Sequence, residues 1–161
     1  MTSPRPSPVV GGALVLAQGL VHAGLSLWLW SDGHRPTRPP PLGLDEPYLA
    51  QALYVAPLYV AAWALASLAA AKVQGRRFHD TAGPVGLATA LPALVATLLP
   101  DVVVYAWKGF DALGPLFRVA APLTLVVTVI ALAVALRGPR RALAVVAALL
   151  AQGVVVAPWV R

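Results

Sequence analysis

Long apolar runs separated by short polar stretches recur along this chain of 161 residues. Each run is about 20 residues long, which is the length an α-helix needs to cross roughly 30 Å of hydrocarbon. The pattern therefore predicts an all-α fold, a polytopic membrane helical bundle of about five transmembrane helices in one domain over residues 9–161. The predicted spans are residues 9–30, 48–71, 84–107, 115–136 and 142–160.

The stretches outside these runs are rich in proline or glycine. Residues 1–8 alternate proline with small polar residues, which predicts a short disordered cytoplasmic tail. Residues 31–47 contain five prolines and both signs of charge, which is typical of a connecting loop more than of a partner-docking segment. Residues 101–114 leave two alternatives, because they complete the third span or lie in the membrane interface, and Pro100 marks where these diverge.

Composition agrees with a membrane protein, since 59% of the residues are hydrophobic and 11% are charged, against about 25% charged residues in an average soluble domain. Cysteine is absent, which excludes disulfides and thiolate ligands. The net charge of +6 comes from basic residues at the ends of apolar runs rather than from a stripe, so we expect the lipid bilayer, and no nucleic acid, as a partner. A homo-oligomer or other membrane subunits are the further partners that such a chain allows.

Basic residues favour one orientation, because cytoplasmic loops carry an excess of lysine and arginine. The segments R-R and R-G-P-R-R are the densest clusters, and both fall on the cytoplasmic side if the N-terminus is inside. We therefore predict an N-in, C-out, multi-pass protein of the bacterial inner (cytoplasmic) membrane. The residues expected to determine the topology are Arg76, Arg77, Arg137, Arg140 and Arg141.

Small residues at a spacing of four predict close helix packing in lipid, where no hydrophobic effect draws helices together. Such ridges occur on the second, third and fifth spans, at Ala62, Ala66 and Ala70, at Gly86 and Ala90, and at Ala144 and Ala148.

Polar residues within the spans are the candidate site. Gln18, His22 and Ser26 share one helix face at intervals of four residues. We favour a structural role in which such side chains hydrogen-bond between helices, over a polar cavity for a proton or small ligand. Asp101 is either buried and functional or simply interfacial, depending on where the third span ends. The candidate intramembrane polar cluster consists of Gln18, His22, Thr97, Asp101, Thr124 and Gln152.

Signatures of catalysis or cofactor binding are missing from the sequence. A haem held within one membrane bundle usually has two axial histidines, but His22 is the only histidine inside a predicted span. The sequence contains no Walker A loop, dinucleotide fingerprint, H-E-x-x-H or G-x-S-x-G. We therefore expect no enzyme activity, no catalytic or metal-binding residue and no cofactor.

Two segments carry a resemblance to a known family. The first is P-Y-L-A-Q-A-L-Y-V-A-P-L, and the second, G-R-R-F-H-D-T-A-G-P-V-G-L-A-T-A-L-P-A-L, joins a loop glycine and a short polar segment to a small-residue span with a Leu-Pro pair. Over residues 47–136 this order resembles the Yip family of five-span membrane proteins, the Ypt/Rab-interacting-protein domain, and its bacterial branch in particular. The resemblance implies five spans, a cytoplasmic N-terminus and no catalytic residues.

The function expected from these features is a non-enzymatic, Yip-like scaffold or membrane-organising protein. The alternatives are a small accessory subunit of a larger respiratory or transport complex, and a homodimeric small transporter.

Overall fold

Five α-helices make up the computed structural model, which describes residues 6–31, 47–98 and 113–156. No strand occurs among these residues, so the all-α prediction is confirmed. Asp101 and the ambiguous segment that begins with it lie outside the described residues, apart from the first two residues of the fourth helix. The helices are α1 (Pro8–Ser31), α2 (Pro47–Gln74), α3 (Phe78–Leu98), α4 (Leu113–Ala135) and α5 (Arg141–Val156).

Helix α3 begins earlier than its apolar run. The third predicted span begins at residue 84, but the helix starts at Phe78 and contains both Pro84 and Pro92. The start is fixed by Asp80, whose Oδ2 accepts a hydrogen bond from the backbone amide of Arg77 at 3.4 Å. An acidic side chain that reaches back to the residue before the helix is half of a capping box, and it also complements the helix dipole. Polar capping chemistry, rather than apolarity, therefore sets this boundary.

Gly75 ends α2 in a left-handed conformation with φ of 64°. The amide of Arg76 donates to the carbonyl of Ala71 at 2.9 Å, and that of Gly75 donates to Lys72 at 3.3 Å. These two bonds are the Schellman motif, in which a residue without a Cβ takes the left-handed position. The α2–α3 turn is consequently short.

Helices α2 and α3 form the centre of the bundle. Both contact α1, while α5 packs mainly on α2, and α4 packs mainly on α3. Helix α1 begins beside the first turns of α3, because Pro6 and Ser7 contact Gly83. The contacts described below place the end of α4 and the start of α5 beside the end of α2.

The distribution of apolar side chains is reversed relative to a water-soluble protein. Nine of the fifteen hydrophobic residues that are buried in the described part of the chain are alanines, whereas leucine, valine and isoleucine side chains cover the outside. Val134 is 65% exposed, Leu150 66% and Val154 73%. Two helical segments of the described chain, Pro8–Trp28 and Ala52–Gln74, are long and apolar enough to cross a membrane, and Pro122–Ala135 and Arg141–Val155 are shorter apolar helices.

The predicted small-residue ridges lie inside the bundle. Ala66, Ala70, Ala144 and Ala148 are fully buried in one cluster with Leu132 and Leu136. Because α2 and α5 are in extensive contact, these alanines form what we call the alanine interface of α2 and α5.

Candidate functional site

Three polar side chains meet between α1 and α2. Nδ1 of His22 lies 2.9 Å from the Tyr59 hydroxyl, and Gln18 is a second hydrogen-bond partner of that hydroxyl. Gln18 is buried, with 4% of its surface exposed, and His22 and Tyr59 are partly buried. We refer to Gln18, His22 and Tyr59 as the polar cluster. A hydroxyl can donate one hydrogen bond and accept another, so Tyr59 can serve both neighbours at once.

The local sequence of α1 builds its half of this cluster. Gln18 and His22 lie four residues apart and so share a face, and the buried Ser26 continues it by one turn. On the same part of α1, a methyl group added at Gly19 would come within 2.7 Å of the Ala56 Cα atom. The absence of a side chain at Gly19 thus brings the two backbones close enough for short polar contacts.

Other members of the predicted six-residue cluster lie on other helices. Thr97 belongs to the last turn of α3, Thr124 is partly exposed on α4, and Gln152 is partly exposed on α5. Helix α1 packs mainly on α2 and α3. The structure therefore brings Gln18 and His22 together with Tyr59, and a cluster that includes Asp101 stays a prediction.

Trp63 joins three helices one turn beyond the polar cluster. Its indole Nε1–H donates a hydrogen bond to the carbonyl of Ala82 on α3 at 2.8 Å. Its ring meets Phe78 edge to face with centroids 5.9 Å apart. A methyl group at Gly12 on α1 would lie 3.1 Å from the ring. Trp63 therefore fixes α2 against both of its neighbours.

Helices α1 and α3 cross with their backbones in contact. A methyl group on Gly11 would lie 2.7 Å from the Ala82 carbonyl oxygen and 2.8 Å from the Gly83 Cα atom. A methyl group on Gly86 would lie 2.6 Å from the Gly11 Cα atom. Real Cβ atoms do not approach other atoms so closely, so these contacts require glycine. We call Gly11, Gly83 and Gly86 the glycine crossing.

The α2–α3 turn and the α4–α5 turn both carry basic residues, and they lie side by side at one end of the bundle. We call them the two basic turns. Nε2 of Gln74 donates to the carbonyl of Arg137 at 3.3 Å, and Nη1 of Arg140 donates to the carbonyl of Val73 at 3.4 Å. Gly138, with φ of 125°, passes so near Arg76 that an added methyl group would lie 3.4 Å from its guanidinium. We call this region the basic end; it comprises Lys72, Arg76, Arg77, Arg137, Arg140 and Arg141.

Charge at the basic end is strongly unbalanced. Asp80 is the only carboxylate among the described residues, whereas six basic side chains gather at this end alone. That carboxylate already receives the Arg77 amide and lies 3.3 Å from Nε2 of His79. Arg76 is partly buried, while the other five basic residues are exposed. A concentrated positive field therefore faces the surroundings at this end.

The sequence analysis did not single out Tyr59, Trp63, Gly11 or Gly83, although it placed Gly86 in a small-residue ridge. A usable signal was present, because tyrosine and tryptophan prefer the membrane interface, and both of these lie well inside α2. An aromatic ring with a polar tip in that position needs a hydrogen-bond partner, which here comes from α1 or α3.

Comparison with known proteins gives no relative from which to transfer a role. No family model, curated protein or solved structure matches the chain significantly.

Proposed function

We propose that this protein is an integral membrane protein that crosses the bilayer five times, N-in and C-out. The observation that carries the proposal is the reversed distribution of apolar side chains. Alanine predominates among the described buried residues, and leucine, valine and isoleucine cover the outside of α4 and α5, with Ile130 and Val134 58% and 65% exposed. Such continuous apolar faces are costly in water and cost nothing in lipid, whereas small buried residues allow the close helix packing that membranes require.

The orientation rests on the basic end. Six basic residues gather at the end of the bundle where α1, α3 and α5 begin and where α2 and α4 end. An excess of lysine and arginine close to span ends is typical of the cytoplasmic side. Reporter fusions after residues 40, 78, 112 and 139 test the arrangement, with cytoplasmic signals expected at 78 and 139 only. A cytoplasmic signal at 40 or 112 would overturn it.

Within this topology we propose a non-enzymatic, Yip-like role as a scaffold or membrane-organising protein that acts through helix packing and the basic end. Support comes from the tightness of the bundle, in which glycine and alanine bring the backbones of α1, α2 and α3 together. Native mass measurement after detergent extraction distinguishes this role from that of an accessory subunit. Monomers or homo-oligomers are expected, and a stoichiometric complex with unrelated chains would exclude the scaffold.

A second candidate, a homodimeric proton-coupled transporter, is favoured by the polar cluster. A histidine and a tyrosine in hydrogen-bond contact within apolar helices can pass a proton, and ionisable groups at membrane depth are often functional. Proton-coupled flux in vesicles should then be abolished by His22→Ala without loss of the folded bundle. Wild-type flux in both His22→Ala and Asp101→Asn vesicles would remove this candidate.

A further inference from the structure

The basic end contains more organisation than membrane orientation requires. Orientation needs arginines on one side of the membrane, but it does not need two positively charged turns to touch. Here Gln74 and Arg137, which are 63 residues apart, are joined by a hydrogen bond, as are Val73 and Arg140, which are 67 residues apart. Both bonds are made to backbone carbonyls, so they hold the turns together without neutralising their positive charge.

Contact between like-charged turns is unfavourable unless an anion lies near both. Asp80 is the one described carboxylate, and it is engaged at the start of α3. Among the described residues, no second carboxylate is available to the exposed side chains of Arg77, Arg137 and Arg141. Helix α5, which follows the second turn, has no acid in its first turn and adds to the positive field.

We propose that the basic end binds the phosphate-bearing headgroup of an anionic phospholipid, with arginines of both turns contacting one headgroup. Planar guanidinium groups donate paired hydrogen bonds to phosphate oxygens, and clusters of basic residues next to membrane helices bind anionic lipids. The turns lie at the ends of α2 and α4, at the depth of lipid phosphates in the proposed topology. The inference rests on the proposed membrane location and names the partner of the basic end.

The test uses the purified full-length chain in neutral detergent, with lipid adducts counted by native mass spectrometry. Phosphatidylglycerol should bind, and phosphatidylcholine should bind at least tenfold more weakly, because each basic residue near a lipid surface contributes about a fivefold effect. Arg137→Gln should weaken phosphatidylglycerol binding about fivefold, and Arg137→Gln with Arg141→Gln about 30-fold.

Arg118→Gln is the matched control. Arg118 lies near the start of α4, and Arg137 lies just beyond its end. Each change therefore removes one positive charge, but at opposite ends of the same helix. The control should bind phosphatidylglycerol as the wild type does. Equal losses in Arg118→Gln and Arg137→Gln, or equal binding of the two lipids, would overturn the proposal.

Two further arms identify the source of the anion. Inorganic pyrophosphate and a hexaglutamate peptide are added separately at the lipid concentration. Displacement of phosphatidylglycerol by neither supports a lipid site, whereas displacement by pyrophosphate assigns the basic end to a soluble phosphate, and displacement by the peptide assigns it to an acidic protein segment. Either displacement would overturn the lipid assignment.

The lipid measurement and the topology measurement fail independently. Binding in detergent does not depend on which side of a membrane the basic end occupies, whereas reporter fusions do not depend on a bound lipid. If the double variant does not fold, two measurements still test the lipid proposal. They are the preference of the wild type for phosphatidylglycerol over phosphatidylcholine, and the comparison of Arg137→Gln with Arg118→Gln.

Discussion

Helix α2 packs on α1 through directional contacts and on α5 through alanine side chains. Toward α1 it offers Tyr59 to a histidine and Trp63 to a glycine, and the indole of Trp63 also donates to α3. Toward α5 it offers the alanine interface, in which side chains contact without hydrogen bonds of their own. Alanine lets helices approach but tolerates small shifts along the axis, whereas a hydrogen bond has one best register. The α1 side therefore specifies the register of the bundle, and the α5 side supplies close contact.

The most disruptive change should be Gly11→Leu. Its side chain would collide with the backbone of α3 at Ala82 and Gly83, which cannot move aside as a flexible side chain can. Overpacking usually costs about 1–3 kcal/mol, and we expect about 3 kcal/mol or more here. Unfolding in mixed micelles, followed by circular dichroism, measures the loss.

Gly24→Leu on the same helix is the control, because among the described residues no atom beyond the adjacent part of α1 lies within 4 Å of a methyl group at that position. It should leave the stability almost unchanged. If Gly24→Leu were as damaging as Gly11→Leu, the glycine crossing would not be the cause.

Ala66→Leu tests the alanine interface, and we expect about 2 kcal/mol of destabilisation from overpacking. Ala66 is fully buried, so the larger side chain must push α2 and its neighbours apart. Ala61→Leu places the same side chain on an exposed position of α2 and should cost little. Equal stability of the two variants would show that the interface is loosely packed.

Trp63→Phe removes the indole N–H that reaches α3. The Ala82 carbonyl would lose a hydrogen bond, which is worth about 1 kcal/mol net. The expected result is a loss of about that size in the unfolding free energy, with the helical content unchanged. A variant more stable than the wild type would show that Trp63 does not help to fix the register of α2.

Tyr59→Phe should have the smallest effect, about 0.6 kcal/mol, the mean for side-chain hydrogen bonds between membrane helices. A double-mutant cycle with His22→Ala isolates the contact, because the two losses should not add if the side chains interact. A coupling energy of zero would contradict the hydrogen bond between α1 and α2.

Much of the helical architecture follows from local information, and the register does not. Apolar runs of membrane length predict the helices, and the spacing of Ala66 and Ala70 predicts a buried ridge, because both depend on neighbours along the chain. Helix α3 starts at Phe78, before the predicted third span, because capping by Asp80 extends the helix into polar sequence that hydropathy assigns to a loop.

The candidate site shows the same division. The spacing of Gln18 and His22 indicates a shared face, but their partner Tyr59 is 37 residues from His22 and is selected by how α1 and α2 cross. That crossing depends on Gly19 meeting Ala56, a pairing that no periodicity within either helix encodes. Long-range pairs of this type need the fold itself.

The hydrogen bonds between the two basic turns join residues that are synthesised at different times. Gln74 leaves the ribosome 63 residues before the carbonyl of Arg137 that accepts its hydrogen bond, an interval of roughly 3–13 s at bacterial to eukaryotic elongation rates of about 5–20 residues per second. Through that interval, the alanine face of α2 is without α5. If the proposed membrane topology holds, nascent chains stalled before residue 137 should present this face to the insertion machinery. A crosslinker placed at Ala70 would then report when α5 covers the face.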